Sequence, residues 1–164
     1  MPTFVPETET TTNLNRKTMK RFLMMLVCGL MAVGSVSAQV KADDILGTYK
    51  VVQGKDNSKV TFRKNGNGYS CQVVWLENMK EKDGTPRVDK RNPDKSKRST
   101  PSDKIVLIEK ITFDEAKQEW SGGQIYDPTR GKFFKVRVSF KDSKTLKVRG
   151  SWGPISETVY WTKL

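Results

Sequence analysis

Between Phe134 and Lys141 apolar and polar residues alternate one by one. Phe134, Val136, Val138 and Phe140 fall on one face, and Lys135, Arg137, Ser139 and Lys141 on the other. A period of two is the signature of a strand with one buried face, since successive side chains point to opposite sides of a sheet. The pattern recurs in Leu146 and Val148 against Lys147 and Arg149, and in Val159 and Trp161 against Tyr160 and Thr162. Upstream, Gly47–Val52, Lys59–Arg63 and Tyr69–Leu76 read as strands, the last two joined by the hairpin signal Asn65-Gly66-Asn67-Gly68. Asparagine and glycine accept the positive φ that such tight turns demand. Ile105–Ile108 and Phe113, the turn Asp114–Gln118 and the run from Trp120 complete the series. After residue 38 no stretch carries a 3.6-residue period. About eight short strands in meander order predict an all-β barrel or sandwich.

The N-terminus sets an address. Met19-Lys20-Arg21 is a short basic region, Phe22–Val33 is apolar, and Gly34-Ser-Val-Ser-Ala38 offers small residues. This is the pattern of a secretory signal with cleavage after Ala38. The apolar run falls short of the roughly 20 residues that a membrane span requires. Residues 1–18 carry no hydrophobic pattern and read as a disordered over-called start ahead of Met19. Residues 39–44 read as a linker, and 45–164 as one domain.

Secretion would leave Cys71 as the only cysteine, so no internal disulfide can form. Its expected role is that of a small hydrophobe on a strand. The chain has no histidine, which excludes Ser-His-Asp and Cys-His catalysis and histidine-bearing zinc sites. No cofactor or metal motif is present. Asp83, Asp89, Asn92 and Asp94 lack the spacing of a calcium loop and read as part of a solvated segment, Glu77–Lys104. Asp127 and Glu157 are the best carboxylate pair for acid–base work. Asp127-Pro128 followed by Gly131, however, is ordinary turn chemistry.

Charge and aromatic residues supply the functional hints. The first 38 residues hold four basic and two acidic side chains, so of the whole chain's +12 a mature chain keeps +10. Lys132, Lys135, Arg137, Lys141, Lys144 and Lys147 form a basic hairpin face, extended by Arg149. Such a face suits an anionic lipid or polysaccharide; lysines on exposed strands also protect against edge-to-edge association. No nucleic-acid motif accompanies the charge. Aromatic side chains occur on nearly every strand, and inward ones either fill a small barrel or line a cavity for one small ligand. The sequence leaves that choice open. Trp75, Trp120, Tyr126 and Trp152 are the wall candidates, and Arg149 paired with Asp127 is the expected brace of the rim. Gly122, Gly123 and Gly150 mark places where a strand bends or a ligand approaches.

Several segments match a known family in the right order. They are Leu46-Gly-Thr-Tyr49, Cys71-Gln-Val-Val-Trp-Leu76, Asn92-Pro-Asp94 with Arg98, Trp120-Ser-Gly-Gly-Gln-Ile-Tyr-Asp-Pro128, and Leu146-Lys-Val-Arg-Gly150. With these the chain resembles the secreted bacterial family catalogued as domain of unknown function 2147. The resemblance implies a secreted, periplasmic, single antiparallel calycin-like barrel of the lipocalin or avidin kind. It implies no activity, ligand or catalytic residue. Relatives often carry a second cysteine on the strand before Cys71, where this chain reads Phe62-Arg-Lys-Asn65. Many also have glycine at the position of Gln72. The function expected from these readings is a non-catalytic carrier or sensor of a small apolar ligand. The alternative is a module that docks on the envelope through its basic face.

Overall fold

The computed structural model describes residues 39–53 and 56–164. The expected signal at 19–38 and the segment before it lie outside the described residues. Eight antiparallel strands close into one barrel in sequence order. They are β1 (Gly47–Gln53), β2 (Asp56–Asn65), β3 (Gly68–Leu76), β4 (Val106–Asp114), β5 (Glu119–Asp127), β6 (Lys132–Asp142), β7 (Thr145–Trp152) and β8 (Ile155–Lys163). β1 closes the ring on β8 through Tyr49–Lys163, Lys50–Thr162 and Val51–Trp161. The meander read from the alternation is therefore the observed topology.

The two ends of the barrel differ. At the lower end the turns are short, and Ala42–Ile45 folds into a 3-10 turn across the opening. That stretch includes half of the expected linker and ends on Ile45, the first residue of the expected domain, which is fully buried. Two aromatic donors hold it: Trp120 Nε1 donates to the Ala42 carbonyl at 3.0 Å, and Tyr49 Oη to the Ile45 carbonyl at 2.9 Å. Val40 N–H reaches Gln118 at 2.8 Å, and Lys163 Nζ the Asp44 carbonyl at 2.8 Å. Above this plug lies a packed core of Tyr49, Phe62, Tyr69, Cys71, Ile108, Ile111, Trp120, Val138 and Leu146. Trp120 packs between Phe113 and Phe140, with ring centroids at 4.8 and 5.8 Å. Cys71 is fully buried, and desolvation pushes its thiol well above the ordinary range. It packs as a hydrophobe and is not poised as a nucleophile.

At the upper end stand the β1–β2, β5–β6 and β7–β8 turns and the long β3–β4 connection. This connection has order of its own. Bridges join Lys80 to Pro86 and Val88 to Pro101, and 3-10 turns form at Lys95–Lys97 and Ser102–Lys104. Asp89 and Asn92, read from the sequence as solvated, are buried. Asp89 accepts from Tyr126 Oη at 2.7 Å and from Asn92 Nδ2 at 2.7 Å. Arg98 Nε donates to the Asn92 carbonyl at 2.8 Å, and the Arg91 guanidinium donates to the Thr129 carbonyl. A buried carboxylate needs such partners, because an unpaired charge out of water is strongly unfavourable. Apolar periodicity cannot reveal a loop that is ordered by polar atoms.

Candidate functional site

The packed core fills only the lower part of the barrel. Above it lies a cavity of about 440 Å³ that opens between the upper turns. Its lower wall is aliphatic: Val51, Val60, Val73, Leu107, Ile125 and Val148, with Phe134 and Val159 beside them. Several of these side chains are small, and Gly150 faces Phe134 and Ile125 with no side chain. Small residues at inward positions are what leave the space. This answers the question that composition left open.

Two bulges decide who reaches the cavity. Lys59 faces Trp75, whereas the neighbouring Val60 faces Val73, so Val74 is an extra residue in β3. A bulge shifts the alternation by one position. Leu76 therefore turns to the cavity and Trp75 turns out, half-exposed under Lys59 Nζ at 5.1 Å from its ring. A second shift lies between Trp120 and Gly123, at Gly122 with φ +84. It directs Ile125 and Asp127 to the interior side.

Of the four aromatic wall candidates, none is a plain wall residue. Trp75 stands outside. Trp120 belongs to the packed floor, fully buried. Trp152 stands 64% exposed on the β7–β8 lip beside Ile155, also 64% exposed. Tyr126 borders the cavity mouth, but its hydroxyl is committed to Asp89 and its ring packs on Phe133 at 4.9 Å. Burial, then the bond to Asp89, holds its phenol above the ordinary tyrosine range.

Trp161, 3% exposed, lines the cavity as well. It meets Val51 and Leu146 across the sheet and touches Phe62 at 6.0 Å. Its Nε1 is the buried side-chain polar atom without a partner among the described residues. A buried donor left unpaired costs about 1–3 kcal/mol. Its alternation with Val159 was visible in the sequence; its lack of a partner was not.

Charges ring the mouth and pair with one another. Arg87 reaches Asp56 at 3.3 Å and the Asn78 carbonyl at 3.2 Å. Arg130 bridges Glu157 at 2.9 Å and Asp127 at 3.4 Å. Asp127 also accepts from Thr129 N and Oγ1, at 2.8 and 2.6 Å, in the β5–β6 turn. The expected Arg149–Asp127 brace does not form. Arg149 is exposed on the outer face and donates to Ser156 Oγ at 2.8 Å; Arg130 takes its place.

The basic residues separate. Lys135, Arg137, Lys147 and Arg149 share one outer patch of β6 and β7, where Arg137 stands directly opposite Arg149. Lys132 lies at the mouth, 5.7 Å from the Trp152 ring, and Lys141 lies over Tyr160 at 4.8 Å. Lys144 belongs to the lower β6–β7 turn.

A family model described as "Uncharacterized protein conserved in bacteria (DUF2147)" matches residues 47–163, which is the whole barrel. The chain belongs to the DUF2147 family. No curated protein is similar to this DUF2147 chain. Among solved structures it is similar to the protein HP1028 from Helicobacter pylori, described as belonging to the lipocalin family. The two are 25% identical over 73% of this chain and 82% of that one, with a TM-score of 0.58. A second, As-p18, described as an extracellular fatty acid binding protein, is 18% identical over 74% of this chain and 97% of its own, with a TM-score of 0.40. That looser likeness carries no argument for the DUF2147 barrel. Among the described residues no helix is long and apolar enough to cross a membrane.

Proposed function

We propose that this DUF2147 barrel is a non-catalytic carrier or sensor, secreted into the bacterial envelope, that takes one small apolar ligand into its upper cavity. The observation that carries the reading is the cavity itself, about 440 Å³ with an aliphatic wall. Pockets for small molecules span roughly 300–1,000 Å³ and bind by removing apolar surface from water. The pattern of a cleavable signal ahead of Gln39 supports the envelope location. Native mass spectrometry of protein taken from its own periplasm tests the proposal. The expected spectrum contains one small apolar adduct per chain that organic solvent removes. Protein that carries no adduct, and takes up none from an envelope lipid extract, would end it.

A second reading rests on a different observation, the Arg137–Arg149 cross-strand pair. Like charges directly opposite each other destabilise a sheet, and Glu119 approaches Arg137 only at 4.0 Å. An anionic lipid or polysaccharide surface would relieve this repulsion. Co-sedimentation with anionic vesicles that declines steeply with salt would support the reading. The same binding after Lys135→Gln, Arg137→Gln and Lys147→Gln would dispose of it.

A further inference from the structure

The rim of the cavity carries apolar side chains that the barrel itself does not cover. We infer that the barrel docks mouth-first on an anionic lipid bilayer, with Trp152 and Ile155 inserted at headgroup level and the upper part of the β6–β7 outer face turned to the headgroups. The use of this docking for ligand exchange rests on the carrier reading; the docking itself does not.

Three observations point the same way. First, the β7–β8 hairpin ends in an apolar tip. Trp152 faces Ile155 across the turn, and each is 64% exposed. A Cβ on Gly153, in that turn, would meet nothing within 4 Å, so the tip stands in open space. Val52, at the upper end of the neighbouring β1, is 61% exposed and borders the same mouth. Single exposed apolar residues are ordinary, but several around one opening form a patch that calls for a partner. Second, the charge behind the tip is positive. The mouth is balanced, with Arg87, Arg130 and Lys132 against Asp56, Asp127 and Glu157, and the arginines hold the carboxylates. On the outer face Lys135 stands level with Ser151, next to Trp152, and Arg149 lies two residues further down, opposite Arg137. Their cross-strand neighbours Gln124, Ser156 and Thr158 are neutral. At about 3.3 Å per residue Arg149 stands about 10 Å behind Trp152, roughly one Debye length in 0.1 M salt. Third, Lys132 Nζ lies 5.7 Å from the Trp152 ring. An indole beside an ammonium suits the bilayer–water interface, where the ring sits among headgroups and the amine reaches their phosphates.

These features select the partner. A polysaccharide would take the lysines but offers no apolar layer to Ile155. A second copy docked tip to tip about a two-fold axis would bring the two basic patches towards each other, where like charges repel. A bilayer accepts both the apolar tip and the charge behind it. It also lets an apolar ligand pass between the acyl layer and the cavity without being bared to water.

The test is co-sedimentation with vesicles of phosphatidylglycerol and phosphatidylethanolamine, and of phosphatidylcholine alone. Brominated acyl chains report tryptophan insertion by fluorescence quenching. The chain is purified from the periplasm, and wild type and variants share one N-terminus, so the apolar run Phe22–Val33 contributes equally to all. The expected result is binding to the anionic vesicles that weakens as salt rises, with quenching that Trp152→Phe removes and Trp75→Phe does not. Trp152→Ser, at an exposed site, should keep the circular dichroism of the barrel and weaken vesicle binding at least about tenfold. No binding to either vesicle would overturn the inference. So would unchanged affinity in Trp152→Ser, which would leave attachment to the outer basic face alone, or a dimer that Trp152→Ser dissolves in a chain that ignores vesicles. A titration with N-phenylnaphthylamine in the absence of vesicles keeps the carrier reading separate. Probe uptake by a chain that does not dock sinks only the docking, and docking by a chain that takes up no probe sinks only the carrier.

Discussion

Tyr126 and Asp89 tie a connection of nearly thirty residues to the barrel wall. Their bond at 2.7 Å joins β5 to the middle of the β3–β4 connection, and both residues are buried. Tyr126→Phe removes the donor and leaves one Asp89 oxygen dry and unpaired. We expect a loss of about 1–3 kcal/mol, measured by urea unfolding, with faster amide exchange confined to residues 77–104. A loss within about 0.5 kcal/mol would mean that the connection is held by something else. Arg149 is the counter-case. Its partner is a serine hydroxyl on an exposed face, so Arg149→Lys should change stability by less than about 0.5 kcal/mol. The brace expected from the sequence belongs to Arg130, whose replacement by glutamine should loosen the β5–β6 turn against β8.

Among the elements, the strands were legible and their irregularities were not. Phe134–Phe140, Leu146–Val148 and Val159–Trp161 alternate in the sequence because each has one inward face, and the barrel turns those faces inward as read, with Val159 left 36% exposed where it lines the cavity. Trp75 departs from the pattern because one extra residue, Val74, sits between it and Val73 in the pairing with β2. Nothing in Cys71–Leu76 marks that residue as extra, since Val73, Val74, Trp75 and Leu76 are all apolar and either alternation fits them. The β3–β4 connection escaped for a different reason. Its order comes from Asp89, Asn92, Arg91 and Arg98, whose polarity reads as solvation until their partners are known. Gly131 ties this connection to the barrel by close approach. Its φ is +64, and a Cβ there would collide with the Arg91 carbonyl. Gly131→Ala should therefore cost more than about 1 kcal/mol and expose residues 77–104 to proteolysis. A variant as resistant as wild type would show that the approach is not constraining.

Across the whole molecule, titration frames the stable range. Asp43 is held below the usual carboxylate range by the Tyr69 hydroxyl and then by Lys64; Asp56 by Asn78 and then Arg87; Asp114 by Lys117. Depressed folded values mean that this stability is present above the unfolded pKa of about 4 and is lost as pH falls below it through the lower folded values. Burial first, and then the bond to Asp43, pushes Tyr69 up to about 12, and burial raises Cys71 and Tyr49 further. Raised values act in the opposite sense. Their stability is complete below the unfolded thiol pKa of about 8.5 and is lost as pH rises. With no histidine in the chain, the melting temperature should be flat between about pH 5 and 8 and fall on both sides. A step inside that window would contradict the assignment.

The existence of the cavity is a further property that alternation could not supply. It depends on the volumes of side chains that face one another, such as Val60, Val148 and Gly150, and not on which of them face inward. It is also the property on which the proposed function stands. The most direct test is a fluorescence titration with the neutral probe N-phenylnaphthylamine, run on the wild-type chain and on a Val148→Trp variant that fills the space. Val148 is 1% exposed and lines the cavity. The account predicts saturable one-to-one binding by the wild-type chain, and its loss in a variant whose circular dichroism remains that of the barrel. Wild-type fluorescence that never saturates, or equal binding by the filled variant, would contradict it.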